Sequence, residues 1–263
     1  MDHVSPFAFN GVRFLLGSIS LLPLILYYHR KSQRLDDNGP KIKNSHWLGF
    51  FTGTILFIAA SLQQIGLIYT TAGKAAFITC LYIILVPIAG LFLGNYVTVN
   101  VWLGSLLAVI GLYFLCIEKN FTIAYGDSLE LIGAFFWTAH ILLIDRFARK
   151  TDTLKLAFFQ FLACSLFSLG TALLIESISL DGIRQAAIPI LYSGVFSVGV
   201  AYTLQIVGQK HSPPAYAAII LSMETVFAAL GGYLILGEQL SSQELLGCTF
   251  MLGGMVLSQW RHF

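Results

Sequence analysis

The chain has 263 residues, of which 57% are hydrophobic and only 11% are charged, and its formal net charge is +2. Soluble domains carry about 25% charged residues. The composition, with a mean hydropathy of +0.78, therefore excludes an ordinary soluble domain and predicts a polytopic membrane protein. The small net charge leaves no basic surface typical of nucleic-acid binding. The four cysteines lie in apolar runs without a CxxC spacing, so we predict neither a metal site nor a cofactor.

Nine apolar runs are long enough to cross a membrane as helices, because about 20 helical residues span the hydrocarbon layer. Their approximate bounds are 7–28, 47–69, 73–93, 98–117, 127–147, 154–175, 187–208, 213–236 and 243–260. Most connections are short, so neighbouring spans should run antiparallel. The predicted fold class is all-α, a polytopic bundle of transmembrane helices.

The basic residues predict the orientation of these spans. The longest polar linker, His29 to Ser45, contains five lysines and arginines. When this linker is placed in the cytoplasm and the spans alternate, 11 of the 15 basic residues fall on the cytoplasmic side and three on the outer side. This asymmetry follows the positive-inside rule. We therefore expect a multi-pass protein of the cell membrane with a cytoplasmic C-terminus and Met1 outside.

The sequence also contains an internal repeat. Residues 62–76 resemble residues 204–218 at an offset of 142, and residues 93–104 resemble 236–247 at an offset of 143. Five spans separate the two copies. Because five is an odd number, the second copy should enter the membrane from the opposite side. Inverted repeats are typical of secondary transporters, whose substrate site lies near the membrane midplane between the halves.

The repeat predicts that one helix is missing. The fifth span, 127–147, begins the second copy, and an offset of 142 places its partner before Met1. The predicted domains are a first repeat, 1–120, with four visible helices, and a second repeat, 121–263, with five. Either the start codon is placed too late or the chain is a nine-helix remnant; we favour the first explanation.

Three segments resemble a known family. Residues 126–149 look like the opening helix of an EamA domain, and residues 5–14 look like its second helix. Residues 223–240 resemble its fourth helix, with Thr225 where Pro is common. The chain thus resembles the EamA-type members of the drug/metabolite transporter superfamily. This resemblance implies ten helices in two inverted five-helix repeats, and movement of small metabolites, often outward, without identifying the substrate.

Polar and aromatic side chains inside the spans are the candidate substrate-binding residues. In lipid, polar helix faces turn toward other helices or a wet cavity. The eight residues predicted to bound such a site are Arg13, Gln64, Tyr82, Trp137, His140, Gln160, Gln205 and Glu224. The alternative is that they make structural hydrogen bonds between helices, or that the aromatic rings only pack.

Three of these residues carry ionisable groups, and each has more than one interpretation. Glu224 lies near the middle of the span 213–236, where it could couple protons, bind a substrate ammonium group or make a structural hydrogen bond; its repeat mate is Tyr82. Arg13 could snorkel, pair with Glu130 or hold a substrate carboxylate. His140 could relay protons, contact the substrate or bond a neighbouring helix.

The function that these patterns predict is secondary transport. We expect a small metabolite, such as an amino acid, to cross the membrane by alternating access, in the export direction and coupled to protons. We expect the protein not to be an enzyme. The alternatives are an intramembrane lipid-modifying enzyme and a non-transporting scaffold. The expected partners are the substrate and the lipid bilayer, without nucleic acid. Glycine pairs such as 49/53 and 90/94 allow close helix packing, and homo-oligomers through such faces.

Overall fold

The computed structural model describes residues 4–34, 44–116, 124–237 and 239–260. The centre of the predicted polar linker, 35–43, lies outside the described residues, as do Lys119, Glu238 and Arg261. Every regular element within the described ranges is helical, and these ranges contain no strand. The predicted all-α fold class is therefore confirmed.

The helices follow the chain with short connections. The first seven are α1 (Pro6–Arg34), α2 (Ser45–Tyr69), α3 (Ala72–Thr79), α4 (Tyr82–Phe92), α5 (Val99–Cys116), α6 (Tyr125–Ala148) and α7 (Thr153–Ile175). They are followed by α8 (Leu180–Gln185), α9 (Ala187–Leu191), the π-helix π1 (Tyr192–Tyr202), α10 (Thr203–Gln209), α11 (Pro214–Leu221), α12 (Met223–Gly231), the π-helix π2 (Gly232–Leu236) and α13 (Ser242–Gln259).

Eight helical segments of the described chain are long and apolar enough to cross a membrane. They match eight of the nine predicted spans, and the protein is a multi-pass membrane protein. The ninth predicted span, 243–260, is the helix α13, but it is not among these eight. Ser241 and Glu244 form a reciprocal capping box, which satisfies N–H groups at the start of this helix. These two polar residues make its first turn polar.

The described residues form two compact units, which do not coincide with the two sequence repeats. Unit 1 comprises 1–64 and 143–211, and unit 2 comprises 65–142 and 212–263. Each unit therefore takes helices from both predicted repeats, 1–120 and 121–263. The repeats are two stretches of similar sequence, whereas the units are the two sets of helices that pack together.

Close helix contacts hold unit 1 together. The helix α1 packs along α7 and π1, and the Ser165 hydroxyl donates to the Gly11 carbonyl at 2.8 Å. A Cβ atom built on Gly53 would lie 2.5 Å from the Gln160 carbonyl oxygen, so α2 and α7 approach as closely as only a glycine permits. The predicted glycine pair 49/53 thus packs within the chain.

The N-terminus of α1 is fixed by an acidic side chain from the end of α7. The Glu176 carboxylate accepts hydrogen bonds from the Ser5 hydroxyl at 2.7 Å and from the N–H groups of Phe7 and Ala8 at 3.1 and 3.0 Å. First-turn N–H groups have no partner within a helix, and a negative charge there is favourable. Glu176 therefore fixes the position of α1 against α7.

In unit 2, α5 and α13 pack along each other on glycine faces. A Cβ atom on Gly104 would lie 2.5 Å from the Gly254 carbonyl oxygen, and one on Gly111 would lie 2.6 Å from that of Gly247. The reverse distances are the same. The two helices are the last of each repeat, and these glycines allow their backbones to touch.

Two spans predicted to be continuous are interrupted in the structure. Helix α3 ends at Thr79 and α4 begins at Tyr82, while α11 ends at Leu221 and α12 begins at Met223. The backbone tightens at both places: Leu81 N–H donates to the Ile78 carbonyl at 3.2 Å, and Thr225 N–H to that of Ser222 at 3.2 Å. Such i to i−3 bonds narrow a helix locally.

These interruptions lie at equivalent positions of the repeat. Residues 80–81 correspond to 222–223 at the offset of 142, and α4 packs against α11 within unit 2. The ends of the two spans also correspond, because Gly94 has φ +82° and Gly237 has φ +70°. Glycine adopts this left-handed conformation without a steric penalty, and it ends both helices sharply.

Candidate functional site

The eight predicted site residues divide equally between the two units. Unit 1 contains Arg13, Gln64, Gln160 and Gln205, and unit 2 contains Tyr82, Trp137, His140 and Glu224. The helices α1, α2, α7 and α10 position the first set, while α4, α6 and α12 position the second.

In unit 1, the two glutamines of α2 and α7 are inside the helix packing. Gln160 is completely buried and Gln64 is 9% exposed. Asn10 of α1 is also completely buried and donates from Nδ2 to the Ala60 carbonyl at 3.1 Å. The interior faces of α1, α2 and α7 are therefore polar as well as small, as the sequence predicts.

Arg13 of α1 lies against aromatic rings. Its guanidinium carbon is 5.3 Å from the centre of the Phe9 ring and 5.1 Å from that of Phe14. The Phe14 ring in turn contacts those of Phe161 and Tyr202, at 6.1 and 6.3 Å between centres. Such stacking is favourable for a cation. Arg13 forms no ion pair among the described residues, and Glu130, one of the alternatives considered for it, accepts a hydrogen bond from Thr79.

Gln205 lies just beyond the π-helix π1, in α10. Ser193, Ser197 and Gln205 are only half-buried and Ala201 is exposed. The buried side of this span consists of Gly194, Val198, Gly199, Thr203, Ile206 and Gln209. A π-helix repeats its hydrogen bonds at i+5 and so changes the spacing of the side chains along this span, while Gln205 stays a candidate site residue.

In unit 2, the two interruptions bring Tyr82 and Glu224 into related positions. Tyr82 is the first residue of α4 and Glu224 the second of α12, and each is the third residue after the end of the preceding helix. The Cys80 thiol donates to the Tyr82 hydroxyl at 3.9 Å, and it lies within electrostatic reach of the Glu224 carboxylate. Tyr82 is 8% exposed, whereas Glu224 is exposed. Glu224 is thus not sealed within the packed helices of its unit.

Trp137 and His140 lie together on α6. Their rings meet edge to face, with 5.9 Å between centres and an interplanar angle of 89°. Trp137 is 8% and His140 2% exposed. This arrangement fits the packing role that the sequence left as an alternative for the aromatic residues.

Glu130 of α6 is a buried acid that sequence reasoning considered only as a partner of Arg13. It is completely buried, and its Oε2 accepts a hydrogen bond from the Thr79 hydroxyl at 2.7 Å. Oε1 has no hydrogen-bond partner among the described residues. The signal available in the sequence was the presence of Thr79 and Glu130 inside two apolar spans, 73–93 and 127–147.

Asp127, one helical turn earlier, is in a different environment. Its carboxylate accepts hydrogen bonds from the Thr70 hydroxyl and from the Ala124 N–H, the latter at 2.8 Å. Lys74 lies within electrostatic reach of it. Asp127 therefore stabilises the start of α6 and its contact with the end of α2.

Comparison with known proteins decides the family. Residues 1–117 and 124–260 each match the EamA-like transporter family. This chain belongs to the EamA-like transporter family. A protein named as an uncharacterized transporter from Archaeoglobus fulgidus is 32% identical over 262 residues, which cover 99% of this chain and 79% of the relative.

Two more distant matches to this EamA-like transporter are a second uncharacterized transporter and a protein of known structure. The uncharacterized transporter YoaV of Bacillus subtilis is 20% identical over 266 residues, which cover 98% of this chain and 88% of YoaV. A crystal structure of another protein superposes with a TM-score of 0.79 at 20% identity, and covers 97% of this chain and 89% of its own. The resemblance to the drug/metabolite transporter superfamily is confirmed, and the family and its relatives support a transporter role.

Proposed function

We propose that this EamA-like transporter moves a small metabolite of the amino-acid class across the cell membrane by alternating access. The proposed direction is export, coupled to the proton gradient. The distribution of basic residues supports a cytoplasmic C-terminus.

The observation that carries this proposal is the pair of interrupted helices at equivalent positions in the two repeats. Interrupted helices in secondary transporters place polar groups and helix ends near the bilayer midplane, where substrates bind. Here the interruptions adjoin Tyr82 and Glu224. A merely structural bundle has no need for a repeated break next to an acidic side chain.

The chemistry of the candidate residues supports a charged substrate. A carboxylate within a membrane span is expensive unless it meets water or a partner, and the exposed Glu224 suits a substrate ammonium group. Arg13 has no ion pair among the described residues and suits a carboxylate, since guanidinium groups bind carboxylates in a fixed planar geometry. Glu224 in unit 2 and Arg13 in unit 1 are therefore separate candidates, each for a charged group of the substrate, and each can be tested by its own substitution.

The experiment that tests this proposal is a counterflow screen in proteoliposomes. Purified protein is reconstituted with an unlabelled amino acid or nucleobase inside, and uptake of the same labelled compound is measured. We expect at least one amino acid to be exchanged, and Glu224→Gln to reduce the exchange strongly while the protein remains folded. The matched control is Glu244→Gln, which removes a carboxylate but retains a side chain suitable for the capping box.

Two results would contradict the proposal. Absence of exchange for every compound in the wild-type protein, together with turnover of the liposome lipids, would favour an intramembrane enzyme. Unchanged exchange in Glu224→Gln would remove Glu224 from the substrate site.

A further inference from the structure

The carboxyl group of Glu130 lies in a narrow slot between α2, α3 and α6. Thr79 donates to Oε2 at 2.7 Å, and a Cβ atom on Gly66 would lie 2.6 Å from Oε1 and 3.0 Å from Cδ and Cγ. A methyl group at position 66 would displace the Glu130 side chain from its present position. Glu130 is 0% exposed, so the slot excludes water from the carboxyl group.

The surroundings of the slot do not suit an ionised carboxylate. A buried charge without a partner costs several kcal/mol or more, and Oε1 has no hydrogen-bond partner among the described residues. Among the described residues, the ionisable group that acts on Glu130 is Asp127 on the same helix, and Lys74 of α3 acts in turn on Asp127. From α2 the slot receives Gly66, which has no ionisable group. The neutral acid is the form that fits this environment.

The position of Thr79 links this slot to the interruption of the third span. Thr79 is the last residue of α3, and the break at residues 80–81 follows directly. The Thr79 hydroxyl donates to either form of the acid, but one hydrogen bond does not offset the cost of burying the charge. An ionised Glu130 is therefore stabilised by moving toward water, and that movement removes a contact that holds the end of α3 against α6.

We propose that Glu130 is the group that binds and releases the coupling proton during transport. This inference rests on the proposed function and assigns its coupling ion and site. In the conformation described here, the protonated carboxyl group is held between Thr79 and Gly66. When the joint between α3 and α4 opens to water, the acid dissociates into a carboxylate and a proton, which passes to water. Closing of the joint requires a proton to be taken up again.

The protonation state is tested without any substrate. Infrared spectra of the protein in liposomes are recorded during a titration from mildly acidic to mildly alkaline pH. We expect a carbonyl stretch of a protonated carboxylic acid that is absent from Glu130→Gln and present in Asp127→Asn. A wild-type spectrum without this band at any pH, or a band that Glu130→Gln retains, would overturn the assignment.

Coupling is tested by comparing two transport modes of the same proteoliposomes. The probes are a mixture of common amino acids outside and a pH-sensitive dye trapped inside. We expect Glu130→Gln to retain counterflow, which needs no gradient, and to reduce substrate-linked proton movement by about tenfold or more, within the usual range of coupling between sites. Asp127→Asn should retain both, and Glu130→Asp should recover part of the proton movement.

Failure of this inference is distinguishable from failure of the proposed function. Normal counterflow with unchanged proton movement in Glu130→Gln would overturn the inference and leave the transporter intact. Absence of counterflow in the wild-type protein would overturn the transporter, and the coupling role with it. Flux driven by a sodium gradient and lost in Glu130→Gln would also overturn the inference, because a sodium ion requires the ionised carboxylate.

Discussion

The two interrupted spans, 72–92 and 214–236, have the same backbone plan but different chemistry. Both break at the same position of the repeat. In the first span, the residue before the break, Thr79, bonds a buried acid on another helix. At the second break, the hydroxyl-bearing residue is Ser222, the repeat mate of Cys80, and it donates to the Ile219 carbonyl in the helix that precedes it at 2.7 Å. The comparison shows that the repeat preserves the break, while the partners on either side of it have diverged.

The difference extends to the residues that follow and precede the breaks. Tyr82 is buried and its repeat mate Glu224 is exposed. Gly66 is pressed against Glu130, whereas its repeat mate Gly208 has no atom within 4 Å of its Cβ position. Our two proposals thus concern different breaks, proton binding at the first and substrate binding at the second, and four sets of substitutions test this division.

The largest effect is expected from removing the polar group of Glu224, compared with removing that of its repeat mate Tyr82. Glu224→Gln should reduce counterflow by roughly 10- to 100-fold, because a hydrogen bond to a charged group contributes about 1.5–3 kcal/mol. Tyr82→Phe, which removes only a buried hydroxyl, should reduce it by less than about tenfold. Initial rates of exchange in proteoliposomes measure both. Equal losses in the two variants would contradict the difference between the breaks.

The next effect concerns the glycine mates. Gly66→Ala should destabilise the protein by about 1–3 kcal/mol, because the added methyl group displaces the Glu130 side chain. Gly208→Ala should be neutral or stabilising by up to about 1 kcal/mol, since alanine favours a helix and the site is open. Unfolding in mixed micelles measures the free energies. Similar values for both variants would show that the slot around Glu130 tolerates the extra atom.

A smaller effect is expected from the hydroxyl before the first break. Thr79→Val retains the shape of the side chain but leaves the Glu130 carboxyl group without its donor. We expect a loss of about 1–2 kcal/mol in the free energy of unfolding, typical of a buried polar group that loses its partner. The double variant Thr79→Val with Glu130→Leu should recover part of this loss. No recovery would mean that the two groups do not interact energetically.

The smallest effect is expected from the hydroxyl at the second break. Ser222→Ala removes a bond within one helix, and serine hydroxyls bonded to a preceding carbonyl add little to helix stability. The expected change is below about 0.5 kcal/mol in the same unfolding assay. A loss as large as that of Thr79→Val would make the two breaks equivalent.

Much of the fold was predictable, because apolar length and composition report directly on a membrane-spanning helix. The break positions were not. Residues 80–81 are Cys and Leu, and residue 222 is Ser, so neither break contains the glycine or proline that signals one in a sequence. Both follow from packing between helices, which a single sequence does not display.

The candidate site was predictable only in part, because packing between helices also decides which polar side chains are buried. Glu224 and Arg13 stand out as charges within apolar runs. Glu130 does not, because it lies near a helix end beside Asp127, where acids usually only cap the helix. Its partner Thr79 is 51 residues away along the chain, and its buried environment depends on an absent side chain at Gly66.

The glycine-lined contact between α5 and α13, called the seam here, bears on how the two repeats came together. Gly104 touches Gly254 while Gly111 touches Gly247, and Gly104 corresponds to Gly247 as Gly111 does to Gly254. The contact is therefore self-complementary, like the isologous interface of a two-fold dimer. A self-complementary contact can form between two identical chains. The same glycine spacing therefore suits a dimer of single repeats that preceded the fused chain.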